Sequence, residues 1–192
     1  MARYHDTCTL GNFSFTIRNA EPEDAERLVA HVRQVDTESV FLSREPGEFT
    51  MTVEEEAVYL QKARDTDFGL YLVAETEGRI VANCAVSIDP HLRERHKARF
   101  GIAVQRAYWS MGIGRKLMEA MIGWCRDRGL VKIELTVDTG NQRAISLYVS
   151  LGFVTEGTLH KSSRLGDGSY RDAYAMALFL DDAERPLPVQ QK

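Results

Sequence analysis

The chain has 192 residues, with 24 Lys plus Arg against 28 Asp plus Glu and a net charge of −4 when histidine is neutral. A chain of this length forms one domain that buries about 70% of its unfolded surface, and 44% hydrophobic with 27% charged residues excludes global disorder. The acidic balance supplies no general attraction to nucleic acid or to an anionic membrane surface.

Cysteines number three, Cys8, Cys84 and Cys125, with no CxxC pair. A disulfide framework or a zinc knuckle is not expected, and a reducing cytoplasm fits best. The start of the chain carries charge where a signal peptide needs an apolar run. No stretch approaches the roughly 18 consecutive apolar residues of a membrane-spanning helix.

Along the chain, residues 1–11 read as a flexible start. Phe13, Phe15 and Ile17 alternate with polar neighbours as in a half-buried strand. Pro22 opens a helix whose apolar positions are Ala25, Leu28, Val29 and Val32. Residues 36–51 read as a long loop or broken helix, and Thr52 with Glu55 forms a capping box for a helix to about Arg64. Strand-like runs follow at Leu70–Ala74, Ile80–Ile88 and Phe100–Val104, the first two joined by a turn containing Gly78. Leu117, Met118, Met121, Ile122 and Cys125 mark an amphipathic helix that Gly129 ends. A strand at Ile133–Val137, a short helix from Asn141 to Gly152, and two strands at about 153–161 and 169–180 complete the pattern, with a loose tail at 181–192. The expected class is mixed α/β, a mostly antiparallel sheet with one parallel pair and about four helices, in a single domain over 12–180.

The chemistry-bearing stretch runs from Phe100 to Leu117. A strand ends at Val104, and after a short loop Gly112 and Gly114 open a helix. Bare backbone N–H groups and the positive end of a helix suit a phosphate or pyrophosphate, and Arg115 and Lys116 add formal charge. The GxxxxGK[S/T] phosphate loop does not occur, and a GxGxxG fingerprint fails because position 117 is leucine. The glycines alone are equally consistent with a plain tight turn. A second segment, residues 141–153, places Asn141, Ile145 and Tyr148 on one helical face.

Together the two segments resemble the GNAT superfamily of N-acetyltransferases. The family's loop reads Q/R-x-x-G-x-G/A, and its following segment commonly reads N-x-x-A-x-x-x-Y-x-x-x-G-F. Residues 141–153 match the latter at every fixed position. The first loop position departs from the pattern, being Trp109, and Ser110 replaces a frequent glycine of the family; an aromatic at the first position resembles subgroups that include ribosomal-protein alanine and polyamine acetyltransferases. The resemblance implies acetyl-CoA as acyl donor and an amine as acceptor. It implies that Ile102, Ala103 and Val104 offer strand-edge groups to the pantetheine arm, and that Trp109, Ser110, Met111, Gly112, Ile113, Gly114 and Arg115 form the pyrophosphate loop. It further implies that Asn141 contacts the pantetheine and that Tyr148 protonates the leaving thiolate. As alternatives, Asn141 is a plain N-cap and Tyr148 a core aromatic. The resemblance admits a homodimer.

Other residues carry weaker signals. Cys125 falls on an apolar helix face and reads as packing. His91 and His96 lack zinc-site spacing, and no metal is expected. The loop containing Arg93, Glu94, Arg95, Lys97 and Arg99 is solvated, contacts an acidic partner or lines an acceptor site. Glu54, Glu55 and Glu56 favour a helix N-terminus or attract a cationic acceptor. Glu38 and His91 are the candidates for a base. Two rival functions remain: a non-catalytic acyl-CoA-binding protein and a nucleotide-phosphate-binding protein.

Overall fold

The computed structural model describes residues 4–181, so the expected tail lies, beyond Asp181, outside the described residues. The chain divides into two compact units, one reaching to Ser87 and resuming at Gly101–Trp124, the other formed by Ile88–Phe100 and the chain from Cys125.

In the first unit, strands β1 (His5–Leu10), β2 (Phe13–Asn19), β3 (Gly69–Thr76) and β4 (Arg79–Ile88) form an antiparallel meander, followed in the sheet by β5 (Lys97–Val104). The start expected to be flexible therefore contains a strand. Gly11 and Asn12 make a two-residue hairpin turn between Leu10 and Phe13, with Gly11 at φ +62°. The β3–β4 turn is also two residues long, with Glu77 and Gly78 both at positive φ.

Helices α1 (Ala25–Glu38) and α2 (Val53–Asp65) cover this meander, joined by a loop that Arg44 fastens to the buried Asp36 through hydrogen bonds of 2.9 and 3.0 Å. The capping box forms as expected: the Thr52 hydroxyl accepts from the Glu55 N–H and the Glu55 carboxylate accepts from the Thr52 N–H. Leu28, Leu60, Val73, Tyr71 and Ile80 make the core between helices and strands. Helix α2 places only Glu56 and Leu60 in fully buried positions.

A polar chain crosses this core. Asn83 donates to the Tyr71 hydroxyl at 3.2 Å, its carbonyl oxygen meets His31 Nε2 at 3.0 Å, and Gln105 Nε2 lies 3.1 Å from His31 Nδ1. Buried polar groups persist only when satisfied in this way.

In the second unit the order is β5, β6 (Lys132–Asp138), β8 (Tyr170–Phe179), β7 (Val154–Arg164), with α4 (Gln142–Ser150) after β6. β5 and β6 pair in parallel from Lys97–Lys132 to Arg99–Glu134. The second strand–helix–strand unit, β6–α4–β7, makes no second parallel pair, because β8 pairs with β6 and β7 pairs only with β8. Helix α3 (Ile113–Asp127) buries Leu117, Met118, Met121, Ile122 and Cys125, the residues its periodicity marked. Among the described residues the class is mixed α/β, mostly antiparallel with one parallel pair and four α-helices.

Burial pulls the His31 imidazole down to about 4. In the unfolded chain it titrates near 6.5, so stability is full above that value and is lost as pH falls toward 4. We expect chemical denaturation to show a loss of about 2 kcal/mol between pH 7 and pH 5 that His31→Gln lacks. Parallel pH profiles for the two proteins would contradict a buried neutral imidazole.

Candidate functional site

The C-terminal half of β5 is apolar yet incompletely covered. Gly101 is exposed and Ile102, Ala103 and Val104 are half-buried, although β3 in the same unit is buried almost throughout. The loop that follows is tied down at every step. The Gln105 N–H donates to the Val81 carbonyl at 3.0 Å, and its side chain donates to the Ile80 carbonyl at 3.2 Å. Arg106 donates its N–H to the Glu38 carboxylate at 2.6 Å and its guanidinium to the Glu38 carbonyl at 2.9 Å. Trp109 Nε1–H donates to the Val104 carbonyl at 2.7 Å, and the Arg106 guanidinium sits 5.4 Å over the Trp109 ring. Tyr108 packs against Phe13 of β2 with centroids 6.0 Å apart.

Past Trp109 the backbone twice enters the left-handed region, at Ser110 (φ +62°) and Gly112 (φ +83°). Ser110 occupies a conformation that glycine adopts without steric cost, which explains why the family favours glycine there. At Gly112 a Cβ would also overlap the Leu10 side chain from β1. The Gly112 carbonyl accepts from the Lys116 N–H at 3.1 Å and so opens α3. Ile113 and Gly114 stand in the first turn, where the helix provides no carbonyl four residues back for their N–H groups. Such a turn, with the positive end of the helix behind it, fits an anionic pyrophosphate. Arg115 is exposed beside it, whereas Lys116 directs its charge to Glu119 at 2.8 Å.

In the second unit, Asn141 is the N-cap of α4, its side-chain oxygen accepting from the Ala144 N–H at 3.2 Å. The capping role is thus realised. Tyr148 is 8% exposed and stands in a cluster with Phe100 and Phe153, at centroid distances of 5.9 and 5.7 Å. Cys125 is buried, and burial pushes its thiol up to about 12, which makes it inert packing. His91 lies in an exposed loop against Asp89 at 2.5 Å. Lys97 pairs with Glu94 and Glu134, and Arg99 with Glu134, so part of the basic loop is neutralised locally. Glu38, a candidate base, accepts from the Arg106 N–H and from Gln34 at 2.8 Å, and thereby anchors the loop.

Sequence reasoning missed β1, Gln105 and the burial of Glu56. The Gly11–Asn12 pair was an available hairpin signal for β1; nothing local announced that Gln105 and His31, distant in sequence, would meet.

The Acetyltransferase (GNAT) family model matches residues 26–153. The chain belongs to this family. It is 39% identical over 107 residues to the L-amino acid N-acetyltransferase AaaT of Escherichia coli (strain K12), covering 55% of this chain and 65% of that protein. It is 39% identical over 79 residues to the ribosomal protein bS18-alanine N-acetyltransferase of Salmonella typhimurium, covering 41% of this chain and 53% of that protein. The chain therefore spans between half and two thirds of the length of these curated relatives. An acetyltransferase of the GNAT family from Streptococcus pneumoniae superposes with a TM-score of 0.83 at 34% identity, covering 86% of this chain and 99% of that one.

Gly114 is the better probe of the first turn, because Gly112 has a second, conformational reason to be glycine. Gly114→Val should fold and weaken CoA binding at least roughly tenfold, about 1.4 kcal/mol, by calorimetric titration. Unchanged affinity in the folded variant would remove this turn as the pyrophosphate cradle.

Proposed function

We propose that the protein is an N-acetyltransferase that moves the acetyl group of acetyl-CoA to a primary amine by direct attack. One observation carries the reading: a half-exposed apolar strand end runs through a pinned loop into a helix turn whose first N–H groups have no helical partner. Family membership and the full match of residues 141–153 to the family segment support it. Relatives named as an L-amino acid N-acetyltransferase and as a ribosomal protein bS18-alanine N-acetyltransferase support an amine acceptor, a small molecule or a protein N-terminus in this reading.

In this reading Ile102, Ala103 and Val104 present backbone groups to the pantetheine arm, which lies along the strand as an added one would. The Val104 carbonyl already accepts from Trp109, and a backbone N–H of this segment polarises the thioester carbonyl. Ser110 to Arg115 hold the pyrophosphate. The neutral amine attacks the carbonyl carbon, the carbon–sulfur bond breaks, the nitrogen loses a proton and the thiolate gains one. Tyr148 is the proposed donor of that proton, and Asn141 contacts the pantetheine through the part of its amide not engaged in capping. The acceptor carries an unperturbed pKa near 8 for an α-amine or near 10.4 for a lysine-like amine, so a base must take its proton. Glu38 and His91 are the candidates for that base.

A CoA-release assay across an amine panel, with the product mass determined, tests the activity. Tyr148→Phe removes only the hydroxyl, so acetyl-CoA binding should be kept while the single-turnover transfer rate falls roughly 10²–10⁴-fold. A parental single-turnover rate in Tyr148→Phe would make the hydroxyl structural and the assignment of the acid wrong.

A further inference from the structure

The β1–β2 hairpin has two unlike faces. Cys8 stands opposite Phe15 and Leu10 opposite Phe13, and the alternation of a strand puts these four on one side of the ribbon. On the other side the hydroxyls of Thr7 and Thr16 meet at 3.3 Å, and those of Thr9 and Ser14 at 3.0 Å. A slip of one residue would exchange the faces, so the register of β1 is fixed. Its far end is tied as well, the Tyr4 N–H donating to the Asn19 side-chain oxygen at 2.6 Å and the Asn19 N–H to the Tyr4 carbonyl at 3.2 Å. Leu10, the last residue of β1, is nevertheless 39% exposed. Both strands precede residues 26–153, so the family match says nothing of this hairpin.

The apolar face of the hairpin meets the loop after β5 at Tyr108 and again at Gly112. The Phe13 ring lies 6.0 Å from that of Tyr108 and stacks on Phe15 at 5.6 Å. Leu10 puts its Cδ1 into the space that a Cβ at position 112 would take. Between the two contacts run Trp109, Ser110 and Met111, and both Ser110 and Gly112 hold positive φ. A glycine has more backbone conformations open to it than any other residue and loses more freedom when held in one. From a neighbouring strand, Leu10 fills the volume that a side chain of residue 112 would otherwise fill. Packed against Gly112 in this way, it blocks rotations that would turn away the N–H groups of Ile113 and Gly114 at the entry of α3.

We propose that Leu10 is a positioning residue for the pyrophosphate cradle, holding Gly112, and through it the first turn of α3, in the conformation that receives the anion. This rests on the reading of the α3 entry as the pyrophosphate site. Leu10 has no polar side-chain group to offer a phosphate, so it acts through Gly112 alone. A backbone cradle held in place before binding loses less freedom when the ligand arrives. Trp109 fastens the start of the loop to its own strand, whereas Leu10 holds the end of the loop from a different one. Substitutions at 10 and 112 are therefore coupled. Gly112→Ala is opposed both by the left-handed φ and by Leu10, and only the second opposition disappears with the Leu10 side chain.

The test is a double-mutant cycle on the full chain, read as CoA affinity by calorimetric titration. Leu10→Ala should weaken CoA binding about fivefold, and Leu10→Met, which refills the space, should bind within about twofold of the parent. Gly112→Ala should cost several-fold less affinity in the Leu10→Ala background than in the parent. Amide exchange distinguishes positioning from general support: in ligand-free Leu10→Ala, residues 110–116 should exchange faster while β3 keeps its parental rates. The Leu10 titrations and the exchange serve if Gly112→Ala fails to fold. Parental CoA affinity in Leu10→Ala, a loss that Leu10→Met does not repair, strictly additive effects at 10 and 112, or equal acceleration in β3 would overturn the proposal. Gly114→Val separates it from the reading beneath: normal CoA binding in that variant removes the cradle itself, whereas weakened binding there with parental affinity in Leu10→Ala defeats Leu10 alone. A Leu10-dependent CoA affinity without acetyl transfer to any amine keeps the positioning role and defeats the transferase reading.

Discussion

The hydrogen bond from the Trp109 indole to the Val104 carbonyl turns the loop after β5 back onto the end of its own strand. A half-buried indole N–H needs an acceptor, and the strand end offers one within five residues. Once the ring is fixed, Arg106 can lie over it, and Glu38 can collect the Arg106 N–H and fasten the loop to α1. The entry of α3, with its two left-handed residues, is then presented in a set conformation. A cradle ordered before binding loses less entropy when its ligand arrives. The departure from the family's Q/R at this position thus exchanges a polar side chain for a lock on the backbone.

Much of this was legible in the sequence. The helices at 25–38, 53–65 and 113–127 announced themselves by periodicity and by the Thr52–Glu55 cap, the entry of α3 by Gly112 and Gly114, and the family by the pattern at 141–153. The first strand was not, because Thr7, Cys8 and Thr9 carry little hydrophobic contrast and the eye falls on the charged start. The pairing of β8 rather than β7 with β6 was hidden for another reason: chain order suggests the nearer strand, and only the β7–β8 hairpin decides which one pairs. Asn141 shows how one residue can satisfy a local rule and a family pattern together, capping α4 whatever else it does.

The polar residues of the first unit divide by how they are satisfied. His31 is buried and fully met by Asn83 and Gln105, so it behaves as a neutral structural ring that ties α1 to the residue after β5. Asp24 is buried and met by charge, its carboxylate accepting from the Arg18 guanidinium at 2.6 and 2.9 Å. Periodicity sees neither, since a buried histidine and a buried aspartate read as breaks in an apolar face.

The claim that Trp109 fixes the cradle is most directly tested by amide hydrogen exchange on the parent and on Trp109→Phe, which keeps a ring and removes the donor. A lost hydrogen bond of about 1 kcal/mol corresponds to roughly fivefold faster local opening. Exchange over residues 106–114 should accelerate by about that factor while β3 and α1 are unchanged. Identical exchange across 106–114 in the two proteins would contradict the lock and return the loop's order to its other anchors.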